Sequence, residues 1–322
     1  MTSHLRPVPS SLPGPANVAP IVEQLSALRF RAQRQRYPGD TPQLPSRQSI
    51  LSMTEDFLAV LYPRHLGEVA LQSIDAFVES GLKRAIPVLE REVGLEQSLT
   101  RQNTGNATPL RADPSSLALS FIGALPRIRE TMDSDIRASI EADPSQGSFD
   151  ELVFCSPGVA ALLRHRVAHE LYRLGVPLMA KIVAEDSRSK SGIDIHPGAK
   201  IGEGFSIANG AGLSIGETVV IGRQVRIHQS VTLGDGFAVV SIAAERSADD
   251  QANLAHRVIT LTPSRPEEGA SDTRSRRHPL IEDGVVIHAG ASLYGPIVVG
   301  KGSVIGRNVW LTDDVPPGVR IE

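Results

Sequence analysis

Between Ile195 and Val315 an aliphatic residue returns at every sixth position, in two blocks. The first block carries Ile195, Ile201 and Ile207, then Ile215, Ile221, Ile227 and Leu233; the second carries Ile281, Ile287, Leu293, Val299, Ile305 and Leu311. A period of six matches neither a helix, at about 3.6 residues per turn, nor a half-buried strand, at about 2. Glycine often follows the aliphatic residue, as at Gly202, Gly216, Gly222, Gly300 and Gly306. This is the pattern of a hexapeptide-repeat, left-handed parallel β-helix. Each hexapeptide makes one short strand and one turn, and three make a triangular coil. The aliphatic side chain points inward and the small residue turns the corner.

The register slips once, between Ile207 and Ile215, which are eight residues apart. The extra residues must bulge out, and the bulge holds Ala208, Asn209, Gly210, Ala211 and Gly212. Irregularities of this kind are kept where function needs them. A longer interruption separates Leu233 from Ile281. Its Ser-, Asp-, Glu-, Arg- and Pro-rich middle predicts an exposed excursion loop over 235–276. Its two apolar patches, FAVVSIAA and VITLT, predict short strands or docking segments. Long insertions leave a solenoid at one corner and often border its active site.

Upstream the period changes to that of helices. Ile21, Leu25 and Leu28 share a face. Ser46 is placed to cap a helix carrying Ile50, Leu51, Phe57, Leu58 and Leu61. A third apolar-periodic stretch runs from Leu66 to Leu89, interrupted by Gly81 and Pro87. The polar, Gly/Pro-punctuated segment 96–116 reads as a loop. Helices are expected again over 116–125, 126–141 and 157–174. The predicted fold is α+β in two domains: a Pro-rich disordered tail over 1–19, an all-α helical domain over 20–190, and the β-helix with its excursion loop over 191–322.

Composition narrows the function. The 322 residues carry a net charge of −3, which gives no electrostatic case for nucleic acid or an anionic membrane. No apolar run is long enough to span a bilayer, and the N-terminus lacks the apolar core of a secretory signal. The single cysteine, Cys155, excludes an intramolecular disulfide framework and suits a reducing cytosol, so a cytoplasmic location and a small buried role for Cys155 are expected. Histidines paired at metal-ligand spacing are absent, and no metal is expected. The glycines are explained by the solenoid and need no phosphate-binding role.

Several strings resemble the serine O-acetyltransferase family of hexapeptide acyltransferases. In family order they are SFDELVFCSPG, HRVAHELYRLGVPL, SGIDIHPGAKIG, IGETVVIG, HQSVTLG, RRHP and SVIGRNVWLTDDVPPG. The resemblance covers Leu117 to Gly318 without the excursion loop. It implies transfer of acetyl from acetyl-CoA to the hydroxyl of L-serine or a related amino acid, feeding cysteine synthesis. It also implies a homotrimer built through the β-helix, or a dimer of trimers through the helical domain.

The same resemblance implies site residues. Asp194 takes the place of the carboxylate that orients the base. The family's Asp-His pair, acid and general base, falls on Ala208 and Asn209, and an Asn side chain accepts no proton at physiological pH. Asp143, Glu217 and Arg277 match substrate-side positions, with Arg277 set to pair a substrate carboxylate. His278 matches a residue across the cleft. Ala289, Gly290 and Ala291 lie where CoA runs along the coils, and Lys301 and Arg307 are candidates for its phosphates.

The residues by themselves leave plainer readings open. Asp194 can cap the first coil, His169 and His196 can be structural, and Lys301 and Arg307 can form a solvated face. His228 and His288 take corner positions where a solvated or trimer-interface histidine is ordinary. Alternatively one of them replaces the lost base, a role for which His278 is the better candidate. Three functions stay open: an acyltransferase with reduced or altered activity, a non-catalytic paralogue that binds an amino acid or partner subunit, and a specialised-pathway enzyme on another amino acid. The chain closes on Glu322, without the Ile-ended tail by which family members enter cysteine synthase, so that complex is not expected.

Overall fold

The computed structural model describes residues 18–37, 41–69, 73–104, 112–235, 237–239, 261–263 and 276–322. The chain falls into two compact units, Met1–Leu44 with Ser98–Pro109, and Pro45–Gln97 with Leu110–Glu322. In the first unit, α1 (Ala19–Arg36) has no buried residue, and Ile21, Leu25 and Leu28 are exposed on its surface. The expected tail lies outside the described residues except for Val18 and Ala19.

The second unit is built from helices and β-helix together. After α2 (Arg47–Leu61) and α3 (Pro63–Leu66) come α4 (Ile74–Thr104), α5 (Pro114–Ala142), α6 (Phe149–Cys155), α7 (Pro157–Arg173) and α8 (Pro177–Ser191). Ser46 caps α2 as expected, accepting from the Ser49 N–H. Two prolines that read as interruptions are spanned. α4 continues through Pro87, and α5 through Pro126. Each proline forfeits a backbone hydrogen bond, but its neighbours (Ala85 and Leu89, Leu125 and Ile128) are buried, and tertiary packing decides helix length. The loop expected from residue 96 also gives way, because α4 runs on to Thr104. Ser98 and residues 100–103 are exposed on its surface. The N-terminus of α8 has no side-chain cap from Val176; the buried Glu96 of α4 accepts from the N–H groups of Leu178 (2.7 Å) and Met179 (2.9 Å) instead. Cys155, expected to be buried, is exposed at the last position of the short helix α6.

The β-helix follows from Asp194. Its strands form three parallel sheets. One side holds β1 (Asp194–Ile195), β4 (Ser214–Ile215), β7 (Thr232–Gly234), β12 (Ser292–Tyr294) and β15 (Trp310–Leu311). The second holds β2 (Lys200–Ile201), β5 (Val220–Ile221), β10 (Leu280–Ile281) and β13 (Val298–Val299). The third holds β3 (Ser206–Ala208), β6 (Arg226–His228), β11 (Val286–Ile287), β14 (Val304–Ile305) and β16 (Arg320–Ile321). The hexapeptide aliphatics stack in register: Ile195–Ile215–Leu233–Leu293–Leu311, Ile201–Ile221–Ile281–Val299, and Ile207–Ile227–Ile287–Ile305–Ile321. Ile321 extends the third stack beyond the positions read from the sequence. The slip is a bulge at the corner between the third and first sides. Asn209, Gly210 and Gly212 all take positive φ there, and a Cβ on Gly210 would lie 2.5 Å from Ile193 Cδ1. The start of the first apolar patch and the end of the second pair as antiparallel strands β8 (Phe237–Val239) and β9 (Leu261–Pro263); most of the loop lies outside the described residues.

One hydrophobic cluster joins Ile136, Leu163 and Val167 of the helices to Ile207, Leu213 and Val225 of the prism. A buried ion pair fastens the same junction. Asp135 of α5 accepts from Arg166 of α7 at 2.9 Å and from the Phe205 N–H at 2.9 Å, while Arg166 donates to the carbonyls of Ile201 and Gly202. Among the described residues no helix is long and apolar enough to cross a membrane.

Candidate active site

Apart from Asp143 and Lys301, the predicted residues lie at two corners of the prism. The first corner lies between the first and second sides, where the excursion loop leaves after β7. Here the Gly216–Thr218 turn meets Arg277 and His278. Tyr172 of α7 donates to Glu217 Oε1 at 2.6 Å, and Arg277 Nη2 donates to Glu217 Oε2 at 2.9 Å. Asp235 Oδ2 lies 4.0 Å from Arg277 Nη1. The Tyr172 hydroxyl, with His196 and Arg277, holds the Glu217 carboxyl below the usual carboxylate range, and the reciprocal bond pushes Tyr172 up to about 12. The pair is therefore a fixed carboxylate and a neutral phenol.

His278 is 6% exposed and lies flat on Gly216, where a Cβ would fall 2.1 Å from its ring. Only glycine fits there. The Thr218 hydroxyl (2.7 Å) and N–H (3.3 Å) both address His278 Nδ1, and the Thr218 oxygen in turn accepts from the Arg277 N–H at 3.1 Å. Burial lowers the His278 pKa, so the ring is neutral and its proton resides on Nε2. His196, edge-on to Tyr172 with centroids 5.7 Å apart, is fixed in the same way by the Gly198 N–H, 3.0 Å from its Nδ1. Both histidines thus offer an Nε2–H donor.

The second corner carries the bulge. Asn209 is exposed at φ 62°, and Ala208 ends β3 paired with His228 of β6. His228 and His288 stack at 4.9 Å with planes 32° apart. Asp143 reaches this face from the end of α5. Its Oδ1 accepts from the N–H and hydroxyl of Ser145, and its Oδ2 lies 3.9 Å from Arg226. Arg226 also donates to the Ala142 carbonyl at 2.6 Å. Asp194 is exposed on β1, tied to the bulge by backbone bonds from its own N–H to Leu213 O (2.8 Å) and from Gly212 N–H to Gly192 O (3.0 Å).

Ala289, Gly290 and Ala291 form the turn below the bulge. Gly290 takes φ 78°, and a Cβ there would lie 2.1 Å from Asn308 Oδ1. Arg307 adjoins this column. Lys301 does not, since it lies at the corner between the second and third sides, where its N–H meets Glu282. Sequence reasoning passed over Tyr172 and Thr218, although both stand inside the family-like strings. It also passed over Arg226, for which only its outward position before Ile227 gave a signal.

Comparison with known proteins decides the family. The bacterial transferase hexapeptide (six repeats) family matches residues 278–313. A plasmid-borne serine acetyltransferase of Synechococcus elongatus is 43% identical over 281 residues, covering 85% of this chain and 80% of that protein. This chain belongs to the serine acetyltransferase family. A serine acetyltransferase of Mycobacterium tuberculosis is 37% identical over 58% of this chain and 66% of its own length. Among solved structures, serine acetyltransferase isoform 3 of Entamoeba histolytica, in complex with cysteine, superposes with a TM-score of 0.64 at 26% identity, covering 94% of this chain and 91% of that one. As a serine acetyltransferase relative, the chain has a helical part and a β-helix, in that order.

Proposed function

We propose that this chain is an acetyl-CoA-dependent O-acetyltransferase acting on the hydroxyl of L-serine or a related amino acid, with turnover reduced by the loss of the bulge acid–base pair. The observation that carries the reading is the Tyr172–Glu217–Arg277–Thr218–His278 network. It presents a guanidinium and an Nε2–H donor beside a carboxylate whose charge is fixed, a set that recognises a zwitterion. Arg277 pairs the acceptor carboxylate, Glu217 attracts its ammonium, and the His278 Nε2–H serves the carboxylate or the developing oxyanion.

The two corners lie apart within one protomer. A threefold packing of prisms would set the Arg277 corner of one copy against the bulge corner of the next, with Asp143 and Asp194 at the shared cleft. A homotrimer also covers the outer strand faces. Sedimentation at micromolar concentration should show a trimer or a multiple of it; a monomer contradicts this. The acyl donor runs past Ala289, Gly290 and Ala291, with Arg307 at its phosphates and Lys301 reaching them only from another coil corner. Cytoplasmic cysteine biosynthesis is the setting this activity implies.

Calorimetry tests the acceptor site. L-Serine or homoserine should bind at millimolar or lower concentration. Arg277→Ala should weaken binding about tenfold or more, the scale of a charged hydrogen bond of about 1.5–3 kcal/mol. Unchanged binding in Arg277→Ala removes the guanidinium from the site. Asn209 favours a second reading, an amino-acid-binding paralogue without catalysis, and the two readings share this binding result but differ in thiol release.

A further inference from the structure

The acyl-transfer reading leaves the attacking hydroxyl without an evident group to take its proton. Asn209 has no basic nitrogen. His278 and His196 each receive donors on Nδ1, which leaves their Nε2 protonated and unable to accept. His169 donates from Nδ1 to the Pro197 carbonyl and lines a cleft against the second side with Arg127 and Lys200, away from the bulge. His165 is buried in the helical core, and His65 pairs with Asp150. Among the described histidines, His228 and His288 remain.

His228 is placed for the task. Its Cα is the register partner of Ala208, the position where the family resemblance puts an acid. Neighbouring strands stand about 4.8 Å apart, so the two side chains leave the same outer face one strand spacing from each other. Ala208 contributes only a methyl group beside the His228 ring, and Asn209 follows it in the chain. Neither ring nitrogen of His228 hydrogen-bonds a described residue. Among the described residues the charged and titratable groups around the ring are Arg226 on the same strand, with Asp143 on the far side of its guanidinium, His288 stacked from just past β11, and Arg307 from the corner after β14. Burial, followed by Arg226, His288 and Arg307, lowers the His228 pKa, so the imidazole keeps a free lone pair at neutral pH.

We propose that His228, positioned by its stack on His288, has taken over the general-base role from the bulge position held by Asn209. The inference rests on the acyl-transfer reading. A ring nitrogen of neutral His228 takes the proton of the acceptor hydroxyl as the oxygen forms a bond to the thioester carbonyl carbon. The tetrahedral adduct collapses by breaking the C–S bond, and the proton passes from the imidazolium to the departing sulfur. The products are an acetyl ester and free CoA thiol, with His228 neutral again. Among the described residues no carboxylate contacts the ring, so its orientation rests on the contact with His288.

The test is thiol release from acetyl-CoA with L-serine as a function of pH, for the native protein, for His228→Asn, and for His228→Asn combined with Ala208→Asp and Asn209→His. His228→Asn should lower kcat by about 10²-fold or more, the contribution of a positioned base, with KM changed only a few-fold. The native kcat/KM profile should show an acid limb with its midpoint below the usual histidine value of about 6.5, and His228→Asn should lose that limb. Rebuilding the Asp-His pair in the His228→Asn background should recover at least about tenfold of the loss. An active native protein whose His228→Asn variant stays within about twofold in kcat overturns the relocation and leaves the acyl-transfer reading standing. A native protein that releases no thiol with any hydroxy amino acid overturns the reading, and the relocation with it. If His228→Asn does not fold, the imidazole resonances of the native protein decide: serine with CoA must shift those of His228, and unshifted resonances overturn the proposal.

Discussion

Ala208→Asp together with Asn209→His should raise turnover of L-serine toward the lower end of the about 10²–10⁴-fold that a positioned base contributes, because His228 already supplies part of it. Asn209→His alone should restore little. An acid and a base that act as a unit are not additive, and a lone histidine at the bulge would have the Asp194 position to orient it but not the neighbouring acid. The backbone accepts the change. Position 209 sits at φ 62°, and Asn and His are among the non-glycine residues enriched there. The carboxylate introduced by Ala208→Asp would stand beside His228 and near Arg226, so its charge is compensated although the site is 8% exposed. Steady-state thiol release by the three proteins checks this. A single Asn209→His change that performs as well as the pair contradicts the coupling.

The largest stability effect is expected at Asp135. Asp135→Ala strips the counter-charge from Arg166, whose side chain is only 10% exposed and is spent on carbonyls of the prism. Breaking a buried pair from one side costs about 3–5 kcal/mol. The ion pair is nevertheless a weak source of net stability. Burial pushes the Asp135 carboxyl up to about 6, against the opposing pull of Arg166 and the Phe205 N–H. A carboxyl raised in the folded state binds its proton more tightly there than in the unfolded chain. Its stabilising contribution is therefore full below the unfolded value of about 3.9 and is lost as pH rises through about 6. Asp135→Asn keeps the shape, should cost less than Ala, and should remove this pH-dependent decline between about 4 and 6. Urea denaturation across that range measures both. An Asp135→Ala variant within about 0.5 kcal/mol of native would mean the junction is held by packing alone.

The β-helix was open to reading because its repeat is enforced locally. Each of Ile195, Ile201 and Ile207 must face the axis, so the six-residue period is written directly in the chain, and the slip before Ile215 marks the bulge. The helices were less legible where polar surface met proline. Pro126 and the polar run after Glu96 look like breaks, yet α5 passes through Pro126 because its buried neighbours decide, and α4 runs on to Thr104. The candidate site was half legible. Glu217, Arg277 and His278 stand in recognisable strings and do converge. Asp194 and Asn209 lie near another corner, Asp143 pairs with Arg226 on the third side, and no string shows which corners meet across an assembly. Lys301 and Arg307 sit in one short segment but on different corners, because six residues carry the chain one side around the prism. The tautomer of His278 follows from a contact invisible in the sequence, the Thr218 N–H on its Nδ1, which leaves the ring proton on Nε2.

The most direct measurement is release of free CoA thiol from acetyl-CoA by the native protein, with L-serine, homoserine and other hydroxy amino acids in parallel. The account predicts release above the no-acceptor blank with at least one of them, saturable in both substrates, with kcat below the about 10 s⁻¹ typical of enzymes. Release at or above that rate would show that the bulge substitutions cost nothing. Release no faster than the blank with every acceptor would contradict the account and leave an amino-acid-binding, non-catalytic member of the family.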